Sequence, residues 1–387
     1  MKRLLVIAGL LLALLPLRAQ YRSGVSLDDL YDSETVHQLK EHVSMLSSAG
    51  MEGRKAGSEG ERLAAEYVGK ALEERGIDLI SPVSGETFGV AREGRETLVS
   101  RTVVGFIPGW DSSLREHYIV IGARLDGLGM DTYLVDGMET PRIYYGANGN
   151  ASGLAMLLEL ASKLSTNRVL LRRSVLLVAF GASGETLAGS WYFLNRSFRD
   201  AANIDAMVNL DMLGTGASGL QAFTASNADM DRIAASLKGE LLPVEAQLVR
   251  EAPYPSDDTA FYDREIPSVY FSTGRYPEHG TPRDTYEIID FEAMEQALEY
   301  IYSYTTALCN GEKPRWRPSG APALVPENTV SFSDCDVKPV FLTSSDPRVF
   351  LEKWVYQYLK YPEYARKNGI QGRVMLYFVI DTKGDVC

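Results

Sequence analysis

Histidine and cysteine are both scarce in this sequence of 387 residues, which contains four histidines and three cysteines. The cysteines, at positions 309, 335 and 387, are too few for a disulfide scaffold and lack the spacing of metal ligands. Their number allows one disulfide but does not require it. Basic residues are outnumbered by acidic ones, 39 to 51, which gives a formal net charge of −12. An acidic chain without a basic stripe does not displace counterions from phosphates, so we expect no nucleic-acid partner.

The amino terminus has the pattern of a secretory signal peptide. Lys2 and Arg3 precede an apolar run at residues 4–17, and the small Ala19 stands before a plausible cleavage point. Such a run is too short for a comfortable transmembrane helix. We therefore predict a signal peptide at residues 1–19 and an exported protein, periplasmic or envelope-associated, with an uncleaved membrane anchor as the alternative.

Apolar periodicity predicts an α/β fold. Helical stripes are predicted at residues 34–47, 58–76, 152–164 and 291–308. Short β-branched runs are predicted as strands at residues 102–107, 118–123, 174–180, 206–211 and 268–272. Ser58 and Glu61 have the spacing of a capping box at the start of the second helix. Because strands and helices alternate, we expect a mixed, mainly parallel sheet with helices on both faces.

The chain divides at a proline-rich stretch. Prolines recur at positions 314, 318, 322 and 326, a spacing that blocks both helix and central strand. We predict an extended linker at residues 313–337 between a domain at 20–312 and a second unit at 338–387. The alternative is that the linker packs against the first domain.

Polar segments follow most of the predicted strands. They are GARLDGLG at 122–129, YGANGNASGLA at 145–155, AFGASGETLAGS at 179–190, NLDMLG at 209–214 and PEHGTPRDTYE at 277–287. Open α/β sheets bind ligands beyond the carboxyl ends of their strands, so we expect the functional site there.

These segments, together with MEGRKAGSEGERLAAEYV at 51–68, resemble the two-zinc exopeptidases of metallopeptidase family twenty-eight, which include bacterial leucyl aminopeptidase and aminopeptidase Y. The likeness covers roughly residues 33–310. It implies a mainly parallel sheet with two zinc ions at its strand ends, a carboxylate that bridges them and a glutamate that moves a proton. Paired metals lower the pKa of the bridging water and stabilise the tetrahedral intermediate.

Most zinc-site positions of that family are replaced in this chain. The first histidine, the bridging aspartate, the base and ligand glutamates and the last histidine fall on Arg124, Gly149, Ser183, Gly184 and Gly280, respectively. Asp211 alone keeps a ligand position, and Asp126, which orients the first histidine in the family, is also present. Arg124 would place a permanent positive charge where a dication should lie.

The resemblance leaves three interpretations of this site. An active enzyme would need zinc, either as the family's pair or as a relocated metal held by Asp126, Asp211, Glu185 or His279, with Asp126 and Glu185 as its catalytic candidates. We favour a metal-free, catalytically impaired or inactive homologue that needs no cofactor. In it, Arg124 takes over the electrostatic role of the metal by pairing with the neighbouring Asp126 and Asp211.

The cleft of such a homologue would still bind a peptide with a free amino terminus. Its predicted polar residues are Asn148, Asn150, Asp257 and Asp258. Two of the remaining histidines, His37 and His42, lie about 140° apart around one helix, so we do not expect them to share a metal and interpret both as surface or interface residues.

Residues 354–381, WVYQYLKYPEYARKNGIQGRVMLYFVID, are similar to the carboxyl-terminal domain of TonB, the energy transducer that pairs with plugs of outer-membrane receptors. A helix is predicted at 346–360 and a strand at 373–381. The resemblance implies a small, partial α+β unit at 338–387. Because further elements of that domain do not follow, we expect a truncated chain or a unit that docks on another surface. Envelope interaction through this tail is the third candidate function.

Overall fold

The structure, a computed structural model, describes residues 32–92, 96–135, 138–216, 218–250 and 252–317. The predicted signal peptide, Cys335, Cys387, most of the linker and the whole TonB-like unit lie outside the described residues. Within the described ranges, no helix combines the length and apolar character needed to cross a membrane.

The helices alternate with strands along the chain, as the periodicity predicts. The α-helices of the described residues are α1 Glu34–Leu46, α2 Glu59–Glu74, α3 Ser152–Thr166, α4 Ala188–Tyr192, α5 Ala228–Ser236, α6 Asp258–Tyr262 and α7 Phe291–Asn310. The predicted helices correspond to α1, α2, α3 and α7, and all four are confirmed to within two residues at each end.

The strands are β1 Asp78–Leu79, β2 Glu86–Val90, β3 Leu98–Ile107, β4 Tyr118–Arg124, β5 Gly129–Val135, β6 Met138–Tyr144, β7 Ser174–Phe180, β8 Ile204–Leu210, β9 Gln221–Phe223, β10 Gln247–Val249 and β11 Ser268–Ser272. All five predicted strands are confirmed, as β3, β4, β7, β8 and β11. The remaining strands are not predicted because they are short or exposed and lack a continuous apolar run.

Within the described residues, nine strands form one sheet in the order β1-β3-β7-β4-β8-β11-β9-β10, with β2 beside β3. The four central strands, β7, β4, β8 and β11, run parallel, whereas β1, β2 and β3 pair antiparallel. Strands β5 and β6 form a separate antiparallel hairpin. The prediction of a mixed, mainly parallel sheet is confirmed.

Alternate residues of the central strands pack into two apolar layers. Ile119 and Ile121 of β4 belong to the layer that includes α3 and α7, whereas Val120 packs in the opposite layer with Phe193 and Phe261. Burial of both faces explains why these strands are apolar throughout. The two layers hold the carboxyl ends of the parallel strands at one edge of the sheet.

Two sequence interpretations of helix α1 and helix α2 need correction. His42 is not a surface residue: it is buried between the helices, with Nδ1 at 2.6 Å from the Tyr67 hydroxyl and Nε2 accepting a 2.7 Å hydrogen bond from Arg75. Only His37 is exposed. In the capping box, Ser58 does accept from the Glu61 amide, but the Glu61 carboxylate accepts from Gly57 because its side chain turns inward.

The opposite edge of the sheet is held by a buried ion cluster. Asp205, at the start of β8, is fully buried and accepts from Arg173 Nε and Lys313 Nζ, both at 2.8 Å. Arg173 also donates to the carbonyl of Gly311 at 2.8 Å. The first residues of the predicted linker therefore pack against this domain, which agrees with the alternative interpretation for residues 313–317.

Substitution of Arg173 by alanine should destabilise the fold, because Lys313, whose side chain is 52% exposed, is then the lysine or arginine that remains beside the buried Asp205. We expect the free energy of unfolding to fall by about 3 kcal/mol, measured by chemical denaturation. The neighbouring Arg172, whose side chain is 41% exposed against Asp111, is the matched control. Its alanine variant should lose less than about 1 kcal/mol. Equal losses in the two variants would contradict this account of the cluster.

Candidate functional site

The candidate site lies where the parallel strands end. Arg124 is the last residue of β4, and Asp211 directly follows β8. The parallel register places Arg124 beside Phe180, the last residue of β7, and Ala123 beside Leu210. The sheet therefore brings together the segments that the sequence singles out after these three strands.

An ion pair joins the first two of these segments. Arg124 Nη2 lies 3.5 Å from Asp211 Oδ1, and the two side chains are 23% and 3% exposed. Ser256 donates to the other oxygen of Asp211 at 2.8 Å. Burial acts to lower the pKa of Arg124, but the charges of Asp211 and Asp126 outweigh it and raise that pKa. The guanidinium therefore stays protonated at any physiological pH.

Asp126 holds a loop rather than a neighbouring side chain. Its carboxylate oxygens accept from the backbone amides of Ser183 at 2.7 Å and Gly184 at 3.0 Å. The turn after β7 is thereby fixed against the end of β4. The charge of Asp126 raises the pKa of Arg124, but the direct contact of Arg124 is with Asp211.

The space next to Gly149 is taken by a carboxylate from a distant loop. Asp284 accepts from the backbone amides of Asn148 at 2.7 Å and Gly149 at 3.1 Å, and from the Tyr276 hydroxyl at 2.7 Å. A Cβ atom on Gly149 would lie 3.0 Å from that hydroxyl and 3.2 Å from Asp284 Oδ2. An aspartate at position 149 would therefore need these neighbours to shift.

Asp257 and Asp258 form a buried acidic pair at the start of α6. The Ser183 hydroxyl donates to Asp257 at 2.6 Å, and the Asn209 amide donates to Asp258 at 3.3 Å. Burial raises the pKa of Asp257 to about 7. Burial, reinforced by the charge of Asp257, raises the pKa of Asp258 to about 8.

The two asparagines predicted for the cleft are buried structural residues. Asn148 accepts from the amide of Gly214 at 2.7 Å, and Asn150 accepts from the amide of Met212 at 2.9 Å. Their side chains tie the loop after β6 to the segment after β8. Neither residue lines the cavity described next.

A small cavity of about 70 Å³ opens at this edge of the sheet. Its walls include Arg124, Asp126, Gly149, His279 and Asp284. His279 stacks on Tyr254 with ring centroids 4.2 Å apart. Burial, followed by the charge of Arg124, lowers the pKa of His279, so its imidazole is neutral near pH 7.

The other candidates predicted from sequence are distributed around this cavity. Gly184 and Gly280 also line the cavity, whereas Ser183 is buried and its hydroxyl donates to Asp257. Glu185 is half-buried in the turn after β7 and is not part of the lining.

Two residues that matter to the site are not predicted by the sequence pattern. Tyr276 holds Asp284 in place, and Arg54 is a fully buried cation below the loop after β6. Arg54 donates to the carbonyls of Tyr145 at 3.0 Å and Gly146 at 2.9 Å. Burial lowers the pKa of Arg54 to about 10. Its place in the polar segment at 51–68 is the only sequence signal for it.

Comparison with known protein families identifies the family of this chain. The sequence model of peptidase family M28 matches residues 102–305, which is more than half of the 387 residues. The chain belongs to peptidase family M28. A second model, the Gram-negative bacterial TonB protein C-terminal domain, matches residues 357–387 of this M28 protein, which supports the TonB-like tail. The comparison with curated proteins found no match.

Solved structures of similar fold include proteins from several bacteria. BSAP, a zinc aminopeptidase from Bacillus subtilis, is 15% identical with a TM-score of 0.58, covering 73% of this chain and 98% of that one. LapB from Legionella pneumophila is 19% identical with a TM-score of 0.55, covering 72% and 76%. Glutaminyl cyclase from Porphyromonas gingivalis is 18% identical with a TM-score of 0.54, covering 70% and 97%. At these identities the likeness establishes the fold alone.

The donor set of this M28 protein does not fit the pair of zinc ions that the family implies. Arg124 directs a cation at Asp211, and a Cβ atom on Gly149 would lie only 3.2 Å from the Asp284 carboxylate. Within the part of the chain that the structure describes, no three His, Cys, Asp or Glu side chains are grouped as metal ligands. The candidates for a relocated metal are also engaged elsewhere, Asp126 by two amides and Asp211 by Arg124.

The raised pKa values of Asp257 and Asp258 predict a pH-dependent stability. Both carboxyls hold a proton more tightly in the folded chain than at the ordinary value of 3.8. The stabilisation from that proton is therefore complete below about pH 4 and is lost as the pH rises through 7 and 8. Replacement of Asp258 by asparagine removes one of these titrations.

Chemical denaturation of wild type and Asp258→Asn across pH 5 to 9 measures this effect. We expect the free energy of unfolding of the wild type to fall more steeply as the pH rises, with a difference in slope of at most roughly 1.4 kcal/mol for each pH step of one. Asp263→Asn, an exposed position directly after the same helix, is the control and should keep the wild-type slope. Parallel curves for Asp258→Asn and wild type would contradict the prediction.

Proposed function

We propose that this M28 protein is an exported homologue that does not hydrolyse peptides and whose cleft binds a peptide by its free amino terminus. The observation that carries the proposal is the ion pair of Arg124 with Asp211 at the strand ends. Two-metal hydrolysis needs a dication at this edge to lower the pKa of a bound water. A fixed guanidinium repels such a cation and cannot itself activate water.

The site also lacks a side chain placed to act as the general base of peptide hydrolysis. The position that holds it in the family is Ser183, whose hydroxyl donates to the buried Asp257. Asp257 has a suitable pKa of about 7, but it lies outside the cavity lining and is bonded to Ser183. A base must reach the proton that it removes within hydrogen-bond distance. Loss of both metal affinity and base favours an inactive site over a slow one.

Peptide binding is supported by what remains of the cleft. The cavity lies at the ends of the parallel strands, and the carboxylates of Asp126 and Asp284 form part of its wall. An ammonium group can donate charge-assisted hydrogen bonds to such carboxylates without a metal. These features favour a ligand that enters by its amino-terminal end.

A second candidate function rests on the tail. The match of residues 357–387 to the TonB carboxyl-terminal domain supports envelope association through this segment. The first residues of the predicted linker, from Lys313, lie beside the Asp205 cluster at the opposite edge of the sheet from Arg124.

Zinc content and peptidase activity of the purified full chain test the main proposal. After dialysis against zinc and then metal-free buffer, we expect no stoichiometric zinc, because the donor set lacks a bridge and carries Arg124. We also expect no release of p-nitroaniline from leucine p-nitroanilide above the buffer rate. A bound pair of zinc ions together with chelator-sensitive hydrolysis would refute the proposal.

An Arg124→Ala variant tests whether the guanidinium is what excludes the cation. Its removal leaves Asp211 and Asp126 without a compensating charge, so divalent cations should bind more readily. We expect zinc to raise the thermal unfolding midpoint of Arg124→Ala and to leave that of the wild type unchanged. The Arg142→Ala variant, on the exposed hairpin, is the control and should behave as wild type. An equal response of all three proteins would contradict the role of Arg124.

A further inference from the structure

We propose that Arg124 makes the cavity a binding site for a carboxylate that belongs to the same residue as the free amino group of the ligand. The ligand class is then a free α-amino acid, or a peptide whose first residue carries an acidic side chain. The inference rests on the proposed function and adds to it a second determinant of the ligand.

The guanidinium of Arg124 has hydrogen-bonding capacity to spare. Arg124 can donate five hydrogen bonds, and within the described residues it makes one, the 3.5 Å contact with Asp211. Of the residues that line the cavity, only Arg124 has a buried side-chain nitrogen or oxygen, its Nε, without a partner among the described residues. The Arg124 side chain as a whole is 23% exposed. A planar fork with free donors favours a carboxylate over any neutral acceptor.

The acids beside Arg124 do not satisfy it. Asp284 accepts from two backbone amides and from Tyr276. Asp126 accepts from two other amides. Both carboxylates are held in place by the protein and line the cavity. Each carboxylate has more acceptor sites than these bonds use, so it can also accept from an ammonium group. The wall therefore offers a cationic donor and anionic acceptors side by side.

The charges of the site disfavour a ligand that carries only a carboxylate. The described site contains two guanidinium groups, those of Arg54 and Arg124, and the three buried carboxylates of Asp126, Asp211 and Asp284. A lone carboxylate adds a further anion to this acidic cluster, and a buried charge without a partner is costly. A zwitterion brings an ammonium together with its carboxylate and leaves the net charge of the cluster unchanged.

The size of the cavity limits the distance between the two charged groups. A cavity of about 70 Å³ accommodates only a group of a few heavy atoms. The glycines at 149, 184 and 280 make part of its wall from bare backbone. In an α-amino acid, a single carbon separates the ammonium from the carboxylate, so both charged groups fit into a cavity of this size.

Isothermal titration calorimetry of the full chain with three probes separates the two determinants. L-Alanine carries both groups, L-alaninamide lacks the carboxylate and N-acetyl-L-alanine lacks the free amine. We expect alanine to bind roughly tenfold to a hundredfold more tightly than alaninamide, as for the loss of a charged hydrogen-bond partner. L-Aspartic acid α-amide, whose carboxylate is on the side chain, distinguishes the acidic-peptide source from the free amino acid.

Variants then assign the effect to Arg124. In Arg124→Gln the advantage of alanine over alaninamide should disappear, and in Arg124→Lys it should be reduced because the charge remains without the planar fork. Arg142→Gln, at an exposed ion pair on the hairpin, should retain it in full. Should Arg124→Gln fail to fold, the comparison of probes on wild type still decides the matter.

Each outcome has one consequence. If alaninamide binds as tightly as alanine, or if neither binds, the carboxylate inference is overturned. If N-acetylalanine binds as tightly as alanine, the amine has no role: the proposed recognition of a free amino terminus fails while the role of Arg124 stands. Zinc-dependent hydrolysis would overturn the proposed function independently of these titrations.

Discussion

The contact between Arg124 and Asp211 joins the ends of the two central strands, β4 and β8, and the remaining polar groups of the site are arranged around it. Carboxylates gathered at the end of a sheet need a cation, because desolvated like charges destabilise the fold. In a metallopeptidase a metal meets that need. Here a guanidinium from the chain itself does so, and it does not dissociate.

The rest of the fold does not depend on how that charge is supplied. The central strands are buried by apolar layers on both faces, and Asp205 with Arg173 secures the opposite edge. We therefore expect substitutions at the strand ends to leave the sheet in place. This separation explains how a chain can belong to family M28 and share the fold of zinc aminopeptidases while Arg124 stands at its strand ends.

The sequence predicts the central sheet well because its strands are continuous apolar runs. Motif spacing also predicts that Arg124 stands at a zinc-ligand position of the family, and the structure places Arg124 at the end of β4. It does not predict contacts made by side chains far apart along the chain. The approach of Asp284 to Gly149 joins segments 135 residues apart, and His42 bonds to Tyr67 of helix α2 and to Arg75, which directly follows that helix. Asn148 and Asn150 look like cleft residues in sequence, but their side chains bond to the loop after β8. Polarity alone does not distinguish a ligand-binding group from one that fastens a loop.

If the Arg124 guanidinium takes the position of the metals, zinc should not bind at these strand ends. Crystals of the full chain grown with excess zinc, with diffraction data collected on both sides of the zinc absorption edge, test this most directly. We predict density for the Arg124 guanidinium against Asp211 and no anomalous peak between Asp211, Asp126 and Gly149. One or two anomalous peaks there, with Arg124 turned away and Asp211 as a ligand, would contradict it.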